Sequence, residues 1–87
     1  MDMTFPQYRK NQNGKHFYKI NSEIDFEEIQ IIGEKYIIMK TLAKIYPDKI
    51  RVQEMLHLNT LLYQIISESD FIQALYECKR NKILIHR

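Results

Sequence analysis

The chain holds one cysteine and three histidines, the side chains best suited to nucleophilic or metal chemistry. A nucleophilic cysteine needs a lowered pKa, usually from a neighbouring histidine or from the N-terminus of a helix. The sequence places Cys78 near the C-terminal end of a predicted helix, on one stripe with Phe71 and Leu75. The helix dipole opposes a thiolate there. We therefore expect Cys78 to be a buried structural thiol.

The histidines offer little for a metal site. Glu54 precedes His57 by three residues, a spacing at which one helical turn can supply two ligands. The pair occurs once, in a segment predicted to be a strand and then a loop, and two ligands do not complete a site. His16 lies in a predicted hairpin strand and His86 in the tail, and neither has an evident carboxylate partner in the sequence. We expect neither a metal nor a cofactor.

Neither the carboxylates nor the glycines of the chain predict a catalytic site. The carboxylates that could transfer protons are Asp25, Glu27, Glu28, Asp70 and Glu77. Helix capping and solvated helix faces already explain their positions. The only glycines are Gly14 and Gly33, which are assigned to a turn and a helix end, so there is no glycine-rich phosphate loop. No nucleophile, base and oxyanion donor can be named together, and we expect the protein not to be an enzyme.

Composition predicts one small folded domain. Hydrophobic residues make up 45% of the 87 residues and charged residues 28%, which is typical of a globular protein. We expect a single domain over residues 1–87, with ends at 1–4 and 82–87 that can fray. The N-terminus has no apolar stretch typical of a signal peptide, and no window approaches a membrane span. Together with a single cysteine, this predicts a cytoplasmic protein.

One phrase occurs twice: "YKINSEIDF" at residues 18–26 and "YQIISESDF" at residues 63–71. Each copy starts with the alternation of a strand. Ser22 with Asp25, and Ser67 with Asp70, then have the spacing of a capping box, so both copies predict a strand that runs into a capped helix. The first helix would end at Gly33 and the second near Arg80. Duplication and convergence both remain open as the origin of the match.

The rest of the pattern predicts strands. "FPQYRKNQNGKHFYKI" is a hairpin that turns at Asn13-Gly14, and "KYIIMKTLAKIY" is a long strand. "KIRVQEM" is a strand by alternation, with a short helix capped by Asp48 as the alternative. "HLNT" is a loop, and the tail "KILIHR" is a short strand or a frayed end. The order is β-β-α-β-β-β-α, which predicts a two-layer α+β fold with a mainly antiparallel sheet of about five strands and both helices on one face.

The predicted open face of this sheet is the candidate binding surface. It would carry aromatic rings among cations: Arg9, Phe17, Lys19, Tyr36, Lys40, Lys44, Tyr46 and Arg51. Tyrosine-rich surfaces are favoured at protein interfaces, so we expect a non-catalytic interaction module that binds another protein or itself. Rings among cations also suit single-stranded nucleic acid, which is the alternative function. Such side chains on an exposed sheet face also have a structural explanation, through β-propensity and long lysine stems.

The segments "FPQYRK", "NGK", "FYKI" and "FEEIQIIGEKY" resemble a group of short uncharacterised bacterial proteins. The resemblance covers most of the chain. It implies a bacterial origin, and it implies no activity and no site residues.

Overall fold

The structure, a computed structural model, describes residues 4–57 and 61–80, without the side chains of 79 and 80. Its elements are β1 (Gln7–Asn11), β2 (His16–Ser22), β3 (Asp25–Ile32), β4 (Lys35–Leu42), α1 (Tyr46–Leu56), β5 (Tyr63–Ile65) and α2 (Glu68–Arg80). The strands form one antiparallel sheet in the order β4-β3-β2-β1-β5. The predicted α+β class, with five antiparallel strands and two helices, is confirmed.

The predicted positions of two elements are wrong. Asp25–Ile32 is β3 and not the first helix, so the order is β-β-β-β-α-β-α. The isoleucines of this segment favour a strand, and Phe26 and Glu28 alternate with Ile29 across the sheet. Tyr46–Leu56 is α1, so the predicted strand "KIRVQEM" is wrong and its helical alternative is right, except that the helix starts after Ile45 and Asp48 lies in its first turn without capping it. Proline in the first turn suits a helix, because the amide that it lacks would have no intrahelical acceptor.

Both glycines adopt a positive φ. The hairpin between β1 and β2 is confirmed, with Gly14 at φ 72° and its amide donating to the Asn11 carbonyl at 3.1 Å. Gly33, at φ 61°, does not end a helix as predicted. It begins the two-residue loop between β3 and β4, in which Ile32 pairs with Lys35. A glycine at the first position of such a loop is typical of a type II′ turn.

The repeated phrase folds in two different ways. In the second copy, the Ser67 amide donates to Asp70 Oδ2 at 3.2 Å and the Asp70 amide donates to Ser67 Oγ at 3.1 Å. This is the predicted capping box, and it begins α2. In the first copy, Ser22 Oγ accepts from the Ile24 amide at 3.2 Å in the turn between β2 and β3. The predicted helix cap at Ser22 is therefore wrong.

The two helices cover opposite faces of the sheet. Tyr18, Ile20 and Phe26 point to one face and form a core with α1, through residues such as Val52 and Met55. We call this the α1 face. The opposite one, the α2 face, holds a core of Ile29, Ile38, Phe71, Ala74 and Cys78. The prediction that both helices share one face is wrong, and the domain has three layers. Cys78 is buried, as predicted.

Several predictions fall outside the described residues. They concern the N-terminus at 1–3, most of the loop "HLNT", the tail "KILIHR" and His86. Within the part of the chain that the structure describes, no helix is long and apolar enough to cross a membrane.

Candidate functional site at the edge of the sheet

The residues of the predicted binding face do not lie together. Phe17, Lys19, Tyr36 and Lys40 point to the α2 face, because they alternate with the residues that pack against α1. Arg9 points to the α1 face, opposite Tyr18. Lys44 and Tyr46 lie beyond the end of β4, and Arg51 lies on α1. The predicted strand ran through residue 46, which placed Lys44 and Tyr46 on the same face, and the separate prediction of "KIRVQEM" as a strand placed Arg51 there.

Arg9 is an internal anchor and not a surface cation. It is only 5% exposed, and its Nε donates to the Met55 carbonyl of α1 at 2.9 Å. Its two terminal nitrogens donate to the Tyr8 carbonyl at 2.8 Å and to Gln7 Oε1 at 2.6 Å. Burial lowers the pKa of Arg9. The guanidinium therefore ties α1 to β1 on the α1 face.

Glu28 is the centre of a buried polar cluster on the α1 face. Its side chain is 1% exposed, and its oxygens lie 2.8 Å from His16 Nδ1, 3.1 Å from Gln30 Nε2 and 3.4 Å from Arg51. The ring of His16 stacks on that of Tyr18, with 6.4 Å between their centroids. Burial raises the pKa of Tyr18, and the nearby Glu28 carboxylate raises it further.

A carboxylate that orients a histidine is also part of many catalytic sites. Here three donors converge on the carboxylate itself, which is how a buried charge is stabilised. No group of three or more metal-ligating side chains occurs among the described residues. Glu54 and His57 lie at the end of α1, where His57 Nε2 is 3.0 Å from Gln53 Oε1. We assign the Glu28 cluster to stability.

Sequence reasoning missed this cluster because Glu28 was placed on a solvated helix face. His16 and Arg51 are 12 and 23 residues away from it, and only the pairing of strands brings them together. The alternation of Phe26, Glu28 and Gln30 was the available signal, because it fits one face of a strand.

An acid separates Lys19 from Lys40, two of the three lysines of the predicted surface. Glu27 pairs with Lys19 on one side and with Lys40 on the other. Opposite charges that face each other across strands attract. The α2 face therefore carries a row of alternating charge at this level, and not a continuous cationic surface.

The outer edge of β4 directs main-chain groups away from the sheet. The Ala43 amide donates to the Ile24 carbonyl at 2.6 Å, and the Ile31 amide donates to the Lys15 carbonyl at 2.8 Å. Because bonding alternates along antiparallel strands, both bonds indicate that Ile37, Met39 and Thr41 bond to β3. The N–H and C=O groups that point outward are those of Tyr36, Ile38 and Lys40, together with the N–H of Leu42, whose carbonyl accepts the Lys44 amide at 2.9 Å. No strand in the described ranges pairs with this edge.

Exposed apolar side chains continue from the end of this edge. Leu42, Ile45 and Tyr46 are 51%, 61% and 65% exposed. Ile24 lies beside them, because its carbonyl accepts the Ala43 amide, and it is also more than half exposed. Apolar side chains that cluster on a surface commonly mark a site of interaction.

A groove of about 330 Å³ lies between α2 and the sheet. Its lining residues are Lys10, Phe17, Ile31, Tyr36, Ile66, Asp70, Gln73, Ala74 and Glu77. Tyr36 belongs to both features, because its side chain lines the groove and its main chain lies at the outer edge of β4. The edge and the groove can therefore contact one extended ligand.

No family model, no curated protein and no solved structure matches the chain. The resemblance to short bacterial proteins stays a prediction.

Proposed function

We propose that the chain is a small, non-catalytic protein-interaction module that docks an extended segment of its partner on the outer edge of β4. One observation carries the proposal: three alternate residues of an eight-residue edge strand, Tyr36, Ile38 and Lys40, direct both of their main-chain groups outward. The strand contains no proline, and its pairing with β3 has no register shift. Proteins usually blunt such edges with proline, bulges, short strands or charged side chains, because an edge is a template for another strand, and of these β4 has only its lysines. Strand addition to a sheet edge is a recurring mode of peptide recognition.

The side chains near the edge support a protein ligand. Tyr36 at one end and Leu42, Ile45 and Tyr46 at the other present apolar surface on both sides of the hydrogen-bonding groups. Main-chain bonds would supply affinity, and these side chains would supply contact area. Tyrosines in such positions often contribute much of the binding energy at an interface.

Nucleic-acid binding is less well supported. It needs several cations on one surface to contact phosphates. Arg9 is buried and bonds to Met55, and Glu27 lies between Lys19 and Lys40. Arg51 lies on the opposite face, where it contacts Glu28. The cations that would contact phosphate are therefore buried, divided between the two faces or placed beside an acid.

A photoreactive side chain at position 40 tests the proposal in a native lysate. Lys40 is exposed on the outer edge, whereas the control position, Lys49, is exposed on α1. We expect cross-links to protein from position 40 and none of the same adducts from position 49. Nuclease treatment should leave these adducts unchanged. An adduct of twice the mass would identify a second copy of the chain as the partner.

Proline at the same position tests the role of the main chain. Lys40→Pro removes an outward N–H and no bond to β3, so the fold should persist while docking is lost. Lys40→Ala removes the same charge and keeps the N–H, so it should retain docking in part. Binding of equal amounts of the partner protein by Lys40→Pro and Lys40→Ala would contradict the proposal. So would cross-linked adducts from position 40 that nuclease removes.

A further inference from the structure

The side chains along the edge of β4 indicate which residues a docked segment would have. This inference rests on the proposed function. We infer that the partner presents an antiparallel extended segment with an acidic residue opposite Lys40 and apolar residues opposite Ile38 and Tyr36. Its pattern, read from its N-terminus, is acidic-x-apolar-x-apolar.

The inner side of β4 already shows this pattern. On β3, Glu27 lies opposite Lys40, Ile29 lies opposite Ile38 and Ile31 lies opposite Tyr36. Each side chain of β4 projects from the face of the sheet, so it can contact a neighbouring strand on either side. On the inner side that strand is β3. A strand added outside β4 would meet the same three side chains. The complement that β3 provides is therefore a template for the partner.

Charge around the edge favours an acidic ligand. Lys35, Lys40 and Lys44 are all exposed, and the acids near them are Glu34 and Asp48 in sequence and Glu27 opposite Lys40. Like charges directly opposite each other on paired strands are destabilising. A basic residue opposite Lys40 would be disfavoured, and an acidic residue would share the attraction that Glu27 supplies from the inner side.

The groove explains the apolar end of the pattern. A residue opposite Tyr36 on the added strand would project to the α2 face, beside the groove. Tyr36 borders this groove on the β4 side, and Ile31, which also lines it, pairs with Tyr36 on the inner side of β4. An apolar side chain opposite Tyr36 could pack against the Tyr36 ring at this end of the groove. Ile38, between Tyr36 and Lys40, is buried under α2 and offers an apolar neighbour at the middle position.

A synthetic peptide with blocked ends that copies residues 25–32, DFEEIQII, is the probe. We expect it to bind the full chain, and we expect a peptide with lysine in place of the first glutamate to bind about fivefold more weakly. Lys40→Glu should reverse this preference, as a double-mutant cycle requires. A control peptide has lysine in place of the second glutamate, a position that projects to the other face. Its affinity relative to the unmodified peptide should be the same for the native chain and for Lys40→Glu.

The peptide could instead replace β3 inside the sheet. Lys40→Pro separates the two sites, because it blocks only the outer edge and should abolish binding there. Peptide binding that survives Lys40→Pro would overturn the inference. So would equal binding of the two peptides by both the native chain and Lys40→Glu.

The two proposals fail in different ways. If neither peptide binds while position 40 still cross-links to a protein in the lysate, the acidic pattern is wrong and the docking edge stands. If position 40 captures no protein and neither peptide binds, both proposals are overturned.

Discussion

Ser67 and Asp70 exchange two hydrogen bonds across the first turn of α2, each main-chain amide donating to the other residue's side chain. Ser22 and Asp25 have the same spacing in a phrase that matches at six of nine positions, yet they belong to a β-hairpin. A capping box is therefore a property of the turn that surrounds it, and not of the four residues alone.

The capping box predicts unequal effects of two serine substitutions. Ser67→Ala should lower the free energy of unfolding by about 0.5–2 kcal/mol, because the amide of Asp70 loses its acceptor. Ser22→Ala is the matched control and should have a smaller effect, since its oxygen caps no helix. Urea unfolding of both variants measures the difference. Equal losses would contradict the assignment.

The Glu28 cluster predicts that His16 matters more than an exposed histidine. His16→Ala should lower the free energy of unfolding by about 1–3 kcal/mol, because a buried carboxylate loses its shortest hydrogen bond. His57→Ala is the control, since His57 is exposed and its ring contacts the exposed Gln53 of its own helix. Chemical denaturation compares the two. A similar change in both variants would mean that the cluster contributes little.

Alkaline pH should destabilise the domain. Burial is the main cause that raises the pKa values of Tyr18, Tyr63 and Tyr8 above 10.0. Above pH 10 the unfolded chain releases these protons before the folded chain does, so the free energy of unfolding falls as pH rises. Tyr18→Phe should make this fall shallower. A pH series of thermal melts tests it, and stability that does not change above pH 10 would contradict it.

Cys78 should react slowly with a thiol reagent in the native protein. It is fully buried in the core beneath α2, near the C-terminal end of that helix. Unfolding in urea should bring its rate of labelling to that of an ordinary exposed thiol. Rapid labelling of the native protein would show that the thiol is accessible.

The sequence predicted the fold class because most strands have strong local signals. Asn13-Gly14 marks one hairpin, and Gly14 has the positive φ that its turn requires. The errors fell where a local pattern fits two structures. Phe26, Ile29 and Ile32 suit one stripe of a helix, yet pairing with β2 and β4 makes the segment a strand.

The candidate site was predictable only in part. Tyr36 and Lys40 were placed on the correct strand. They belong to the candidate site because this strand lies at the edge of the sheet, and alternation in the sequence does not give the order of strands. Arg9 and Arg51 were expected on the surface because the sequence does not show the long-range partners that decide whether a cation is buried or paired. Those partners, Met55 and Glu28, lie 46 and 23 residues away.

Amide hydrogen exchange along β4, resolved by residue, tests the central claim most directly. In the isolated chain, the amides of Ile38 and Lys40 should exchange faster than those of Met39 and Thr41, which bond to β3. The peptide DFEEIQII should slow the first pair and leave the second pair unchanged. Slow exchange at Ile38 and Lys40 without any ligand, or no change when the peptide is bound, would contradict a docking edge at β4.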